Sequence, residues 1–390
     1  MTKTRSYPNF LQKRVDYYYN VRLKKLEGGS LFEGPLPKSS DIFIDNNDYL
    51  CLSNHSEIID CQINELRHSE KSLMSNVFAY ERGIREDFET GFAVFTNQED
   101  AMLCTSGLDA NIGLLQTICE KDTHLYMDKM VHMSLYMGAQ FSRAILHIFE
   151  HNNVNMLEDL VREFGVGVVV VDSVYSSFGS VCPLKEVAEV ATKYGCILVV
   201  DESHSIGLYG SSGAGMVAEL GLEEQVDFIT ASLSKAFCSR GGIITCSSQF
   251  RAYFRQASFP AIYSSMMLNH EAARFLKTLE IIKKADDRRE KLLENIHYLH
   301  THLDNIGFNT EISQSQILSL EVGNEMLAIK LRDLLMERGV VAAPFIPLAV
   351  PKNRCNARMT VNSGLTTLEM EHIVKSCKEV LPLVTTSIIE

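Results

Sequence analysis

None of the ten cysteines stands in a C-x-x-C pair, so neither a zinc cluster nor a disulfide framework is expected. Cys104, Cys119, Cys182 and Cys196 sit in apolar or mixed segments, where a free thiol behaves as a small hydrophobe. A reducing compartment and no metal site follow as expectations. Long apolar runs are missing as well. The longest lies near Val166–Val171, far short of the ~20 residues of a membrane helix. Residues 1–20 carry early Lys and Arg but no apolar core, unlike a signal peptide, and a cytoplasmic protein is expected. There is no basic excess. Lys and Arg number 37 against 49 Asp and Glu, a net charge of -12, which argues against nucleic acid or an anionic membrane as partner. A local basic pocket for an anionic ligand stays open. No internal repeat or low-complexity stretch is visible.

What is present is a globular composition, 46% hydrophobic and 22% charged over 390 residues, enough for one large and one smaller domain. Residues 1–45 read as a helical arm broken by Gly28, Gly29, Gly34, Pro35 and Pro37. From 46 to 255 short β-rich runs alternate with helical periodicity. GVGVVVVD ends at Asp172, CILVVDE at Glu202 and VDFITASLSK at Lys235, and GGIITCS follows from Gly241. Runs of Val and Ile without in/out alternation suit strands buried on both faces. Pro183–Tyr194 reads as a helix with proline in its first turn. The expectation is an α/β fold with a large, mainly parallel sheet. Residues 256–390 read as a smaller α+β domain. A long helical pattern reaches Asp304, followed by the strand-like QILSLEVG and ARMTVN with a helix between them and another at the C-terminus.

Polar residues end the apolar runs: Asp172, then Asp201-Glu202-Ser203-His204, then Ser232-Leu233-Ser234-Lys235. Ligands of open α/β sheets bind beyond the carboxyl ends of strands, so one rim would carry carboxylates, a histidine and a lysine. A strand-terminal lysine is either a salt-bridged edge residue or, with its pKa lowered by burial, a nucleophile for a carbonyl. A nucleophilic lysine with a buried Asp suits pyridoxal phosphate, whose protonated pyridine nitrogen needs a carboxylate. Thr105-Ser106-Gly107-Leu108 precedes a helix-like stretch from Asp109 to Cys119. Such a turn is either an ordinary N-cap or a seat for a phosphate. His132, in DKMVHMS, reads by itself as a loop histidine.

The order SGLDAN, D…HMS, DSVYS, DESHSIG and ASLSKAF resembles the α-oxoamine synthases, fold-type I pyridoxal-phosphate enzymes that condense an amino acid with an acyl-CoA. The likeness runs from about Asn47 to the C-terminus. The stretches IGLLQTIC, HMSLYMGA, VVDSVYSSFGS and TASLSKAF are similar in particular to the bacterial α-hydroxyketone quorum-sensing autoinducer synthases.

This resemblance implies the following roles. Lys235 attaches the cofactor and moves protons, Asp201 faces the pyridine nitrogen, and His204 bonds the ring hydroxyl. His132 stacks on the ring, with Ser203 beneath it where the family usually has Ala. Ser106, Gly107, Leu108 and Ser232 approach the phosphate, and Ser176 lies near the ring hydroxyl. Asp172 is the acidic residue beside the substrate. Tyr263, Ser264 and Ser265 reach the partner subunit's phosphate in a homodimer with shared active sites. Arg358 holds the amino-acid carboxylate, with Arg354 the other arginine near that motif. Leu108 stands where an aromatic residue is usual. KSLMSNVFAYERG, 71–83, replaces the Gly-rich segment of glycine users. The implied reaction joins a medium- or long-chain acyl-CoA to S-adenosylmethionine or 2-aminobutyrate, with loss of CO₂, giving an α-aminoketone precursor of a signal. In S-adenosylmethionine the cationic sulfonium would be drawn to Asp172. The alternatives are a glycine- or alanine-using synthase, a silent subunit of a heterodimer and a cofactor-sensing regulator. Lys235 speaks against the silent subunit, and the chain length leaves no room for the regulator's DNA-binding module.

Overall fold

The structure is a computed structural model and describes residues 7–24, 31, 34–68 and 83–385. The segment 71–82, most of the stretch that replaces the Gly-rich motif, lies outside the described residues. Among the described residues there are twelve strands: β1 (Ile42–Phe43), β2 (Asp100–Cys104), β3 (His124–Asp128), β4 (Ile145–Phe149), β5 (Gly167–Asp172), β6 (Ile197–Asp201), β7 (Phe228–Ser232), β8 (Gly242–Cys246), β9 (Ile317–Gly323), β10 (Val340–Val341), β11 (Ala343–Phe345) and β12 (Cys355–Thr360).

Seven of them form one sheet in the order β2-β8-β7-β6-β5-β3-β4. All pairings are parallel except those of β8, which runs against both neighbours. The reason lies in the side chains. Val168 to Val171, Leu198 to Val200 and Ile243 to Ile244 are buried on both faces, and helices cover a sheet with no wet side. The helix Leu184–Tyr194 is typical. Its apolar face buries Leu184, Val187, Ala188 and Ala191, and it ends at Gly195 in the left-handed conformation at φ 69°. Because β8 alone is reversed, the carboxyl ends of β2, β3, β5, β6 and β7 open on one rim. Four of those ends are polar: Asp128, Asp172, Asp201 and Ser232.

A second, antiparallel sheet of order β11-β12-β9 packs with the helices Glu325–Met336 and Thr367–Thr385. Its core continues through Phe88, Phe92, Phe237 and Phe275, where Phe88 and Phe275 stack at 5.4 Å. β1 pairs in parallel with β10, so the chain entering the large sheet is tied to the C-terminal part. Among the described residues no helix is long and apolar enough to cross a membrane.

The α/β architecture with a largely parallel sheet is as expected. Three particulars differ. β8 is antiparallel, since hydrophobic periodicity carries no direction. The helical pattern after 256 divides into Phe259–Tyr263, Asn269–Ile282 and Asp286–Asn305. Lys235 stands three residues past β7 rather than at its end, on a turn closed by Cys238 N donating to the Lys235 carbonyl at 2.8 Å.

Candidate active site

The first part of the site is a turn. β2 leads through Thr105 and Ser106 into the helix Gly107–Ile118, and the Ser106 hydroxyl accepts from Asp109 N at 3.0 Å. Two glycines let three backbones meet there. A Cβ on Gly107 would lie 2.6 Å from Ser232 Cβ, and one on Gly242 2.2 Å from the Ser106 carbonyl. The first N–H groups of a helix have no intrahelical acceptor and carry its positive end. Ser232 and Ser234, with their hydroxyls 2.8 Å apart, stand beside it. The concavity therefore suits a phosphate.

The second part is a hydrogen-bonded row on the rim. Asp201, buried, receives Ser203 N at 2.9 Å and the Asn111 amide at 2.7 Å. Asn111, also buried, gives its other N–H to Ser134 Oγ at 2.9 Å. Ser134 Oγ lies 2.7 Å from His132 Nδ1. His132 is the N-cap of the helix Met133–Ser142, and its own N–H donates to Asp172 at 3.1 Å. Burial lowers the His132 pKa. It does the same for Lys235, where the Arg358 charge adds to the effect and Asp201 and Asp172 oppose it. The amine is thus moved toward the neutral, nucleophilic form. Asp172 lies in register with Asp201 on the adjacent strand. Burial, then the neighbouring Asp201 and Asp128, hold its carboxyl well above the usual carboxylate range, and its Oδ1 has no partner among the described residues.

The third part joins the two sheets. Arg358 on β12 donates to the Ser176 carbonyl at 3.0 Å and to Asn47 Oδ1 at 3.2 Å, and its guanidinium lies 4.4 Å over the Phe345 ring. It is 6% exposed and its Nε is unpartnered. No carboxylate among the described residues lies within ion-pair distance of it. A buried cation in that state is costly unless an anion joins it. His204 Nδ1 sits 2.7 Å from the Tyr49 hydroxyl. Burial, with Lys235 and Arg358 near, pushes the His204 pKa well down, and burial raises that of Tyr49 to about 12.

Asp201, His132, His204, Asp172, Ser203, Ser232, Ser106, Gly107 and Lys235 therefore share one rim, and Ser176 and Arg358 meet across it. The structure adds five particulars to the reading of the sequence. Ser203 uses its hydroxyl to accept from Ser232 N at 2.7 Å, fixing the end of β7. Burial and the neighbouring carboxylates hold Asp172 toward its neutral form, which weakens the attraction expected for a sulfonium. Arg354 is committed to Glu321 at 2.9 Å and to the Phe178 ring, so among the described residues Arg358 is the one of the two without an ion pair. Leu108 is partly exposed on the helix Gly107–Ile118. Ser264 hydrogen-bonds the Pro260 carbonyl at 2.6 Å, and Tyr263 and Ser265 are exposed. Asn47, Tyr49, Asn111 and Ser134 had not been singled out. Asn111 carried a signal, since it lies four residues after Gly107 and so on the same helix face.

The residues fit pyridoxal phosphate: a backbone cradle that added Cβ atoms would fill, an acceptor carboxylate in Asp201, and a lysine of lowered basicity. The sequence profile of aminotransferase class I and II matches residues 42–376. The chain is 40% identical to the CAI-1 autoinducer synthase of Vibrio campbellii, over 97% of this chain and 96% of that protein. It is 28% identical to the 8-amino-7-oxononanoate synthase of Alkaliphilus oremlandii, over 95% and 96%. Among solved structures it is similar to a serine palmitoyltransferase from S. paucimobilis bound to PLP and myriocin. There the TM-score is 0.90 and the identity 24%, and the overlap covers 96% of this chain and 99% of that one.

Proposed function

From the premise that this chain belongs to the aminotransferase class I and II family, we propose that it is a pyridoxal-phosphate-dependent acyltransferase. In this reading it joins an acyl-CoA to an amino acid, with decarboxylation, to make an α-aminoketone for a quorum-sensing signal. The observation that carries the reading is Arg358: a buried guanidinium without a carboxylate partner, set with Asn47 and Ser176 close to Lys235. It asks for a carboxylate-bearing substrate. The similarity to the CAI-1 autoinducer synthase supports the product class.

In this reaction the amino acid loses its α-proton and its Cα bonds to the thioester carbonyl carbon. CoA leaves as the thiol, the carboxylate departs as CO₂, and a proton returns to Cα. Pyridoxal phosphate, when bound, supplies the electron sink for the carbanion at Cα. The chain does the rest. Arg358 and Asn47 bind and orient the carboxylate. Lys235 Nζ, moved toward its neutral form, attaches the cofactor and carries the proton to and from Cα. Asp201 would hold the pyridine nitrogen protonated, and Tyr49 orients His204. The turn at Ser106 and Gly107 with Ser232 would hold the phosphate.

The opening beside Lys235 supports an anionic acyl donor. Asn46, Asn47, Cys51, Ser53, Ser239 and Arg240 line it. Its one lining carboxylate, Asp48, is occupied by Leu52 N, Ser53 N and the Cys238 thiol. Arg274 and Arg288 hook the carbonyls of Ser53, Cys238 and Cys51 from behind. The mouth thus carries Arg240 and Lys235 against one carboxylate that is already hydrogen-bonded, a balance that suits an anionic CoA thioester.

Product mass spectrometry tests the reading, with each candidate donor (glycine, alanine, 2-aminobutyrate, S-adenosylmethionine) crossed against acyl-CoAs of rising length. Efficiency is expected to climb with chain length, by up to about 0.8 kcal/mol per buried methylene, with a donor larger than glycine. A best rate with acetyl-CoA, or with glycine, replaces it by a glycine-using synthase.

A further inference from the structure

The row Asp201–Asn111–Ser134–His132 has a direction. Asp201 is an acceptor, so the Asn111 amide must turn its NH₂ group toward it, since the flipped amide would set two acceptor oxygens 2.7 Å apart. The second N–H of that same NH₂ then points at Ser134 Oγ, 2.9 Å away. With that oxygen accepting from Asn111, its single hydrogen is free for His132 Nδ1 at 2.7 Å. A second donor converges on the same ring atom, the Ser134 backbone N–H at 3.2 Å. Nδ1 therefore carries a lone pair, and the ring proton belongs on Nε2.

We infer that Asn111 and Ser134 are positioning residues, and that through them the acceptor oxygens of Asp201 hold His132 in the neutral Nε2–H tautomer. An imidazolium would bring an N–H on Nδ1 against the fixed Ser134 backbone N–H and force the Ser134 hydroxyl to turn from donor to acceptor, so protonating His132 reverses the end of the row. The inference rests on the proposed use of Asp201 and His132 on two sides of one cofactor, and it makes their states interdependent. Without an acceptor at Asp201, the amide, the hydroxyl and the ring proton all lose their direction. The lowered pKa of His132, set first by burial, agrees with a ring that stays neutral. The other groups facing His132 are Asp172, on its backbone N–H, and Lys235 and His204.

The test is nitrogen-15 NMR of histidine in the full-length protein, as isolated and after cofactor removal, with His132→Gln to assign the signals. The Nε2–H tautomer is expected to exceed the other by about thirtyfold at neutral pH, two donors each being worth ~1 kcal/mol. Ser134→Ala should cut that preference roughly two- to tenfold, the worth of one hydrogen bond. Ser134→Thr, which keeps the hydroxyl, should restore it. If Ser134→Ala does not fold, Ser134→Cys, a weak donor, reads the same quantity. Asn111→Asp draws the Ser134 hydroxyl away and adds negative charge, so the His132 titration should move up by about one pH unit. A wild-type ring that is mixed or protonated on Nδ1 overturns the inference. So does a tautomer ratio that is indifferent to Ser134→Ala and Asn111→Asp. Turnover is a separate measurement. If the tautomer behaves as described while acyl-CoA is not a substrate, the proposed reaction fails and the lock stands.

Discussion

At the scale of single residues, Arg358 and Glu202 give opposite lessons about buried charge. Arg358 stays a cation and lacks an anion, so its value should appear when substrate binds. Arg358→Gln is expected to raise KM for the amino donor about ten- to a hundredfold, the worth of a charged hydrogen bond. KM for the acyl donor should change little, and steady-state kinetics with each substrate varied in turn decides it. Glu202, fully buried with Oε2 unpartnered, has its pKa pushed from 4.5 up to about 7, first by burial. The unfolded chain ionises near 4.5 while the folded one keeps its proton to about 7. Stability is therefore lost as pH rises through that window and the loss is complete above it. Glu202→Gln removes this dependence. The variant's stability relative to wild type should rise by up to about 3 kcal/mol between the two values and then level off, as urea unfolding at a series of pH values would show. Asp201, His204 and Lys235 were legible in the sequence because each follows an apolar run. Asn47 and Ser134 were not, and Asn111 only through its spacing from Gly107, because what they do is decided by contacts across 23 to 311 positions of chain.

At the scale of elements, the turn between β2 and its helix works only because β8 begins with glycine. Gly242→Ala would drive a methyl into the Ser106 carbonyl at 2.2 Å, with backbone on both sides and no side chain to yield. The expected result is a loss of about 2–4 kcal/mol and of cofactor retention, read by thermal melting and by absorbance after gel filtration. Ser247→Ala, at the N-cap of the next helix, should cost only ~1 kcal/mol and keep the cofactor. The central strands were legible because β5, β6 and β8 are unbroken apolar runs. β4 was not. It is the sheet edge, with Ile145, Leu146 and Ile148 exposed and polar residues around them, so neither a buried run nor an alternation stands out. The antiparallel sense of β8 was beyond any pattern, since Ile243 and Ile244 pack the same way whichever direction the strand runs.

At the scale of the whole molecule, several aromatic side chains of the described residues lie bare. Phe259 and Tyr263, flanking the segment with Ser264 and Ser265, are 55% and 81% exposed, and Phe10, Tyr17 and Tyr19 of the N-terminal helices are similarly open. We propose that a second copy of the chain covers this surface; a two-fold axis would then present the same segment to both active sites. As the family resemblance implies, Ser264 and Ser265 would serve the phosphate turn of the other subunit. Lys235→Ala then kills the site that holds the substitution, while Ser265→Asp sets a carboxylate against the phosphate of the partner's site. Each homodimer should be inactive. In a mixed dimer the intact Lys235 of one chain faces the intact Ser265 of the other, so one site of two is whole. Equal amounts re-associated at random yield half mixed dimers, and the expected activity is about a quarter of wild type. If each chain served its own site, every chain in the mixture would carry one lesion in its only site and the rate would stay at zero. A single subunit mass by light scattering at assay concentration would overturn the shared site directly.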